Sequence, residues 1–281
     1  MDKKDIVLIS PPARLEVYQG LSGELAAIEP PVWAGLIGGF LRGKDLSIAI
    51  VDSEACGYTH QQAAEAVAKY EPKLVIFVVY GQQPSASTQC MPAAAKTCNF
   101  LKDISDVPTM VMGTHSSALP ARTLQEEPYD YVCQGEGPYT VLDLYKFIIG
   151  DIKISEVSGL WYMDKGLTQN NPIKDKIVDL DKELPKQALD LLDMTKYRAH
   201  NWHCFDDLSS RESYASLQTS LGCPYKCSFC CINAPFGGAG IRYWSPKNVL
   251  SQIDELVNKY GVKNIKIPDE MFVLNKNHVI E

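Results

Sequence analysis

Five short apolar runs separated by helix-patterned stretches leave this chain few architectures to choose from. The runs cover residues 6–9, 46–51, 74–79, 108–112 and 129–133, and the first, Ile6-Val7-Leu8-Ile9, stops at Ser10-Pro11-Pro12 as a buried parallel strand does. Residues 32–41, 61–70, 93–101 and 139–149 carry helical patterns between and after them. Strand and helix in alternation predict a five-stranded parallel sheet covered on both faces and joined by right-handed crossovers, the doubly wound (Rossmann-like or flavodoxin-like) α/β form. In such a sheet a ligand sits beyond the carboxyl ends of the strands, where the strand order reverses. Polar and glycine residues fall at those ends: Asp52 after the second run, Ser85, Ser87 and Thr88 after the third, Gly113, Thr114 and His115 after the fourth, and Gly135, Glu136 and Gly137 after the fifth. No G-x-G-x-x-G follows the first run and no P-loop ending in Gly-Lys-Ser or Gly-Lys-Thr occurs, so dinucleotide and P-loop readings lose their support.

A second feature lies beyond the alternation. Cys223-Pro224-Tyr225-Lys226-Cys227-Ser228-Phe229-Cys230 follows a strand-like run over 214–220 and spaces three cysteines as C-x3-C-x2-C. A loop this tight can turn three sulfurs toward one point, and a cubane iron–sulfur cluster held by three thiolates keeps one iron open. A structural zinc site needs a fourth ligand, for which Cys231, His203 and Cys204 are the neighbours; no second C-x2-C or H-x3-H pair supplies one. Disulfides fit poorly, since nine cysteines is an odd number and no signal peptide opens the chain. Reduced thiols in a cytoplasmic protein are the expectation. No apolar run reaches the roughly 18 residues of a membrane helix, and a net charge of −7 argues against nucleic-acid backbone binding.

The cysteine loop, with Gly222-Cys223-Pro224 at its entry and the aromatic Phe229 before the third cysteine, resembles the signature of radical S-adenosylmethionine (SAM) enzymes. The first half of the chain looks like the cobalamin-binding domain that precedes many radical SAM domains. That likeness rests on the order of Pro30-Pro31 with Gly35-Leu36, Asp52, the Ser/Thr-rich third loop, Gly113-Thr114-His115, and Asp130-Tyr131-Val132 running into Gly135-Glu136-Gly137. Where the family continues with glutamate, Pro138 stands. The D-x-H-x-x-G motif that supplies a histidine to cobalt is absent, so no histidine ligand is expected.

The resemblance implies a cobalamin domain over 1–150 and a connector over 151–212, with a hairpin at Asp164-Lys165-Gly166. The first part of a radical SAM (β/α) partial barrel would occupy 213–281. In that last part a helix starts at Ser245-Pro246 and stops at Gly261, and a strand over 262–267 leads to Asp269-Glu270. By resemblance, Cys223, Cys227 and Cys230 hold a 4Fe–4S cluster and Asp269 or Glu270 meets the amino group of SAM. Phe229 and the loop residues above contact the cofactors. The implied activity is methylation of an unactivated carbon through a 5′-deoxyadenosyl radical and methylcobalamin. It would act on a small molecule or peptide, with flavodoxin or ferredoxin as electron donor. An oxidative cyclase or ring-remodelling enzyme, or a non-catalytic cobalamin- or metal-binding fragment, are the alternatives. Two strands of an expected barrel of about six make the chain a candidate fragment of a longer enzyme.

Overall fold

The computed structural model describes residues 2–19, 23, 26–80, 86–174, 176–201 and 207–280. Five parallel strands, β1 (Ile6–Ser10), β2 (Ile48–Asp52), β3 (Leu74–Val78), β4 (Thr109–Met112) and β5 (Tyr131–Cys133), build the expected sheet. Two more strands, β6 (Leu160–Asp164) and β7 (Leu167–Asn170), form the predicted hairpin, which adds antiparallel to the edge of β5 and brings the sheet to seven strands in the order β2-β1-β3-β4-β5-β6-β7. The β-branched and aliphatic runs suit strands buried on both faces. Ile6 and Leu8 pack to one side of β1 and Val7 and Ile9 to the other, all fully buried.

Helices cover both faces. On the first face lie α2 (Val32–Arg42) and α8 (Pro138–Ile148); on the second lie α4 (His60–Ala68) and α5 (Ala86–Lys102). Short helices α1 (Arg14–Tyr18), α3 (Ser53–Cys56), α6 (Thr114–Ala118) and α7 (Pro120–Glu126) sit at strand ends. The start of α4 is set by a capping box, with Thr59 accepting from the Gln62 amide and Gln62 reaching back to Thr59. Among the described residues no helix is long and apolar enough to cross a membrane.

Beyond the connector, with its short helix α9 (Leu180–Glu183), the expected single strand over 214–220 is two. β8 (Tyr214–Ser216) pairs parallel with β11 (Asn264–Lys266), whereas β9 (Ser220–Cys223) turns away and pairs antiparallel with β10 (Gly240–Tyr243). The break falls at 217–219, where Asp269 draws in the Thr219 amide. β10 comes out of the glycine-rich passage that the sequence reads as loop, because pairing with β9 satisfies its backbone. Helix α10 (Pro246–Tyr260) begins at the Ser245 N-cap and ends at Gly261 in the left-handed conformation, as its residues predict; α11 (Lys276–Ile280) closes the described chain.

One apolar cluster runs from α2 and α8 through Leu184 and Leu189 of the connector to Tyr214, Leu221, Trp244 and Leu256. The connector is stitched to the last region by Trp244 Nε1 donating to the Leu184 carbonyl (2.7 Å) and Gln187 Nε2 donating to the Ser216 carbonyl (3.0 Å).

Candidate functional site

A cleft of about 240 Å³ opens where the strand order reverses, between the carboxyl ends of β1 and β3. Its other wall comes from β8 and β9, so the first sheet and the cysteine-bearing region face each other across it. Trp33 of α2 and Tyr80 after β3 stack there, centroids 4.2 Å apart and planes 12° off parallel, and Phe236 leans on Trp33 at 6.2 Å. Polar lining comes from Arg14 and Glu54, which are ion-paired at 3.2 Å, and from Glu29, Gln218 and Glu270. Glu29 is buried against Lys266 at 2.8 Å. The Gln218 side-chain Oε1 is buried with no hydrogen-bond partner among the described residues. Cys90 also lines the cleft, and burial, helped by Glu54, pushes its thiol up to about 11.

The residues singled out in the sequence divide into three sets. Thr114 and Glu270 line the cleft. Ser87, Thr88, Gly113 and His115 form a knot behind it. The Ser87 hydroxyl donates to the Val79 carbonyl and accepts from the His115 amide (3.0 Å), and Thr88 bonds His115 Nδ1 at 3.0 Å. Burial lowers the His115 pKa. Gly113, at φ 155°, brings its backbone so close that a Cβ would lie 2.0 Å from the Val79 oxygen, which only glycine permits. Ser85 lies outside the described residues, as do His203 and Cys204.

The third set is committed to protein contacts. Asp52 caps α3 through the Ala55 amide (3.3 Å) and accepts from the Tyr197 hydroxyl (2.8 Å); burial pushes its carboxyl up to about 6. Glu136 is buried and paired with Arg242 at 2.9 Å; burial raises its pKa and Arg242 opposes the shift. Gly135 exchanges hydrogen bonds with Ser117 at 3.2 and 3.3 Å, and Gly137 caps α8.

Asp269 and Glu270, equivalent in the sequence, are not equivalent in space. Asp269 accepts from the Thr219 amide (2.8 Å), the Thr219 hydroxyl (2.6 Å) and the Ser220 hydroxyl (2.6 Å), which fills both oxygens. Glu270 has no such partner among the described residues, and its pKa is raised by desolvation and by the neighbouring Asp269. It is the carboxylate available to a ligand.

The cysteine loop leaves β9 at Cys223, which is buried, while Cys227, Cys230 and Phe229 are exposed. Gly222, at φ 90°, passes so near β10 that a Cβ would meet the Gly240 oxygen at 2.4 Å. Asn233 pins the start of the loop, accepting from the Cys223 amide (3.1 Å) and donating to the Tyr225 carbonyl (2.9 Å). All the described cysteines are free thiols. Among the described residues no three His, Cys, Asp or Glu side chains converge closely enough to hold a metal ion. Cys223, Cys227 and Cys230 are thus grouped by their spacing along one open loop.

Arg14, Glu29, Trp33, Tyr80, Gln218, Phe236 and Arg242 were not legible as site residues. Arg242 follows a glycine-rich stretch and Trp33 lies in an apolar helix; nothing local marks either.

Residues 18–144 match the family model described as the B12 binding domain. That match spans β2 to β5 of the first sheet and the helices between them, and the fold of the chain is similar to that of cobalamin-dependent radical SAM enzymes. It is 28% identical over 280 residues to an uncharacterized methyltransferase of Pyrococcus horikoshii, a match covering 98% of this chain and 55% of that protein. With the anaerobic magnesium-protoporphyrin IX monomethyl ester cyclase of Rubrivivax gelatinosus it shares 25% identity over 271 residues, 94% of this chain and 45% of the cyclase. In fold it is similar to the radical SAM methyltransferase TsrM from Kitasatospora setae, solved with cobalamin and a 4Fe–4S cluster bound. That match has a TM-score of 0.68 at 16% identity, covering 98% of this chain and 49% of TsrM. The chain spans about half the length of these relatives.

Proposed function

We propose that this chain is the cobalamin- and cluster-bearing part of a radical SAM methyltransferase that acts on an unactivated carbon of a small molecule or peptide. The observation that carries the reading is the cleft. The strand-reversal end of a B12-binding domain faces the strand that runs directly into the three-cysteine loop.

Residues 1–150 bind the cobalamin, 151–212 connect, and 213–281 carry the cysteines. Cys223, Cys227 and Cys230 hold the 4Fe–4S cluster, the loop closing on it from the hinge pinned by Asn233. Cobalamin and the cluster with SAM would together supply one-electron cleavage chemistry and a transferable methyl group. The chain's own residues hold and shield. Ser87, Thr88, Gly113, Thr114 and His115 shape the floor under cobalamin, with no histidine on cobalt, because no histidine of the chain stands in a D-x-H-x-x-G motif. Glu270 takes the amino group of SAM while Asp269 holds the strand end that presents it. Trp33, Tyr80 and Phe236 keep water from the reacting face. A cytoplasmic flavodoxin or ferredoxin delivers the electron. Ring formation is the second reading, favoured by the cyclase relative.

Anaerobic reconstitution should load roughly four iron per chain, and Ala at Cys223, Cys227 or Cys230, but not at Cys231, should abolish it. Tight stoichiometric zinc without iron uptake would overturn the cluster. In the complete enzyme, label from methyl-labelled SAM appearing in product supports methylation; its absence from a converted product favours the cyclase.

A further inference from the structure

We infer that Glu136 and Arg242 form a latch that positions the aromatic wall of the cleft, Glu136 being a positioning residue and not a ligand of the cofactor. Five residues from separate segments close a circuit. The Glu136 carboxylate accepts from Arg242 Nη1 at 2.9 and 3.0 Å, and the same guanidinium donates to the Ile177 carbonyl. Its carbon lies 5.5 Å from the centroid of Phe236, Phe236 leans on Trp33 at 6.2 Å, and Trp33 stacks on Tyr80 at 4.2 Å. The Tyr80 hydroxyl returns to the Glu136 carbonyl at 3.2 Å, and burial raises its pKa well above the usual value, so it remains a donor. Both the side chain and the backbone of Glu136 are therefore used.

The circuit crosses from the first sheet to the cysteine-bearing region. Trp33 and Tyr80 belong to the B12-binding domain, and Phe236 and Arg242 to the segment that returns from the cysteine loop into β10. Charge is what holds it shut. Glu136 is nearly buried, so the pair is poorly screened, and a guanidinium left without its carboxylate turns toward water. Phe236 then loses the cation on its face and its reason to lean on Trp33.

A second ion pair, Glu29 with Lys266, joins the same two regions at 2.8 Å, Glu29 also meeting the Tyr214 hydroxyl, and provides the comparison. The near-ultraviolet circular dichroism of Trp33 on Tyr80, isolated as the difference between the parent and Trp33→Phe, reads the latch in the ligand-free 281-residue chain. Glu136→Gln should lose at least half of that band. Lys266→Gln should leave it in place, and the exchange E136R with R242E should recover at least half of what Glu136→Gln loses. A folded Glu136→Gln with an unchanged band, or an equal loss in Lys266→Gln, overturns the inference. Should Glu136→Gln fail to fold, Arg242→Gln decides: it removes the charge that Glu136 holds, and an unaltered band refutes the latch. A second arm rests on the cofactor reading above. Hydroxocobalamin titrated into Glu136→Gln should bind about tenfold more weakly than to the parent, with KM for SAM in the complete enzyme unmoved. A parent chain that takes up no hydroxocobalamin counts against the cofactor reading, while the dichroism still judges the latch.

Discussion

Replacing Asp269 by alanine separates two roles that its position next to Glu270 confuses. Its carboxylate accepts three hydrogen bonds, at 2.8, 2.6 and 2.6 Å, from groups of Thr219 and Ser220 that are almost fully buried. Hydrogen bonds to a charged acceptor contribute about 1.5–3 kcal/mol each, and a buried donor left unpaired costs about 1–3 kcal/mol. Simple addition overshoots, because the three share one carboxylate and the freed hydroxyls can rotate toward other acceptors. A loss of about 3–5 kcal/mol is expected, a large part of the ~5–15 kcal/mol that holds an ordinary domain. Urea denaturation of the parent, Asp269→Ala and Glu270→Gln measures it, and hydrogen exchange at the Thr219 amide localises it. Glu270→Gln should lie within about 0.5 kcal/mol of the parent, as surface changes do, yet weaken SAM binding in the reconstituted protein. If Asp269→Ala costs less than about 1 kcal/mol, or leaves the Thr219 amide as protected as before, the clamp reasoning is wrong.

Asp52 should make stability fall as pH rises. Its carboxyl titrates near 3.8 unfolded and about 6 folded, so the contribution is complete below pH 4 and lost through pH 6. Two units at ~1.4 kcal/mol each make this about 3 kcal/mol, read as the parent-minus-Asp52→Asn difference in unfolding free energy between pH 4 and 7; a flat difference refutes it. His115→Ala should leave the electron paramagnetic spectrum of reduced cobalamin unchanged, as the missing D-x-H-x-x-G motif implies, and imidazole nitrogen coupling in the parent that disappears in the variant would refute this. Gly222→Ala, with its Cβ forced to 2.4 Å from the Gly240 oxygen, should unpair β9 from β10 and at least halve iron loading; full loading would show the strand can shift.

The parallel strands are legible because a strand buried on both faces needs an unbroken apolar run, and Ile6 to Ile9 and Leu74 to Val78 supply it locally. Partnership at a distance leaves no such trace. Nothing in Gly240 to Tyr243 reveals that Cys223 waits opposite Gly240, so β10 reads as loop until β9 is in place. The split of the 214–220 run has the same origin, since Asp269 pulls on Thr219 from 50 residues away. The cysteines can be read from spacing alone, whereas Arg242 acquires meaning only through Glu136, 106 residues earlier.

The hairpin at the end of the first sheet bears on how this protein behaves when concentrated. Lys165 and Gly166 both take positive φ, 49° and 79°, the two-residue turn whose twist matches its strands and locks Asp164 opposite Leu167. Without β6 and β7, the three residues of β5 would form a bare border with unpaired amides. With them, the outermost strand is four residues long and mostly polar, Leu-Thr-Gln-Asn, too short and too well hydrated to recruit a neighbouring molecule by strand addition. On that side the sheet ends in a border that discourages self-association, and aggregation during anaerobic loading should originate elsewhere on the surface.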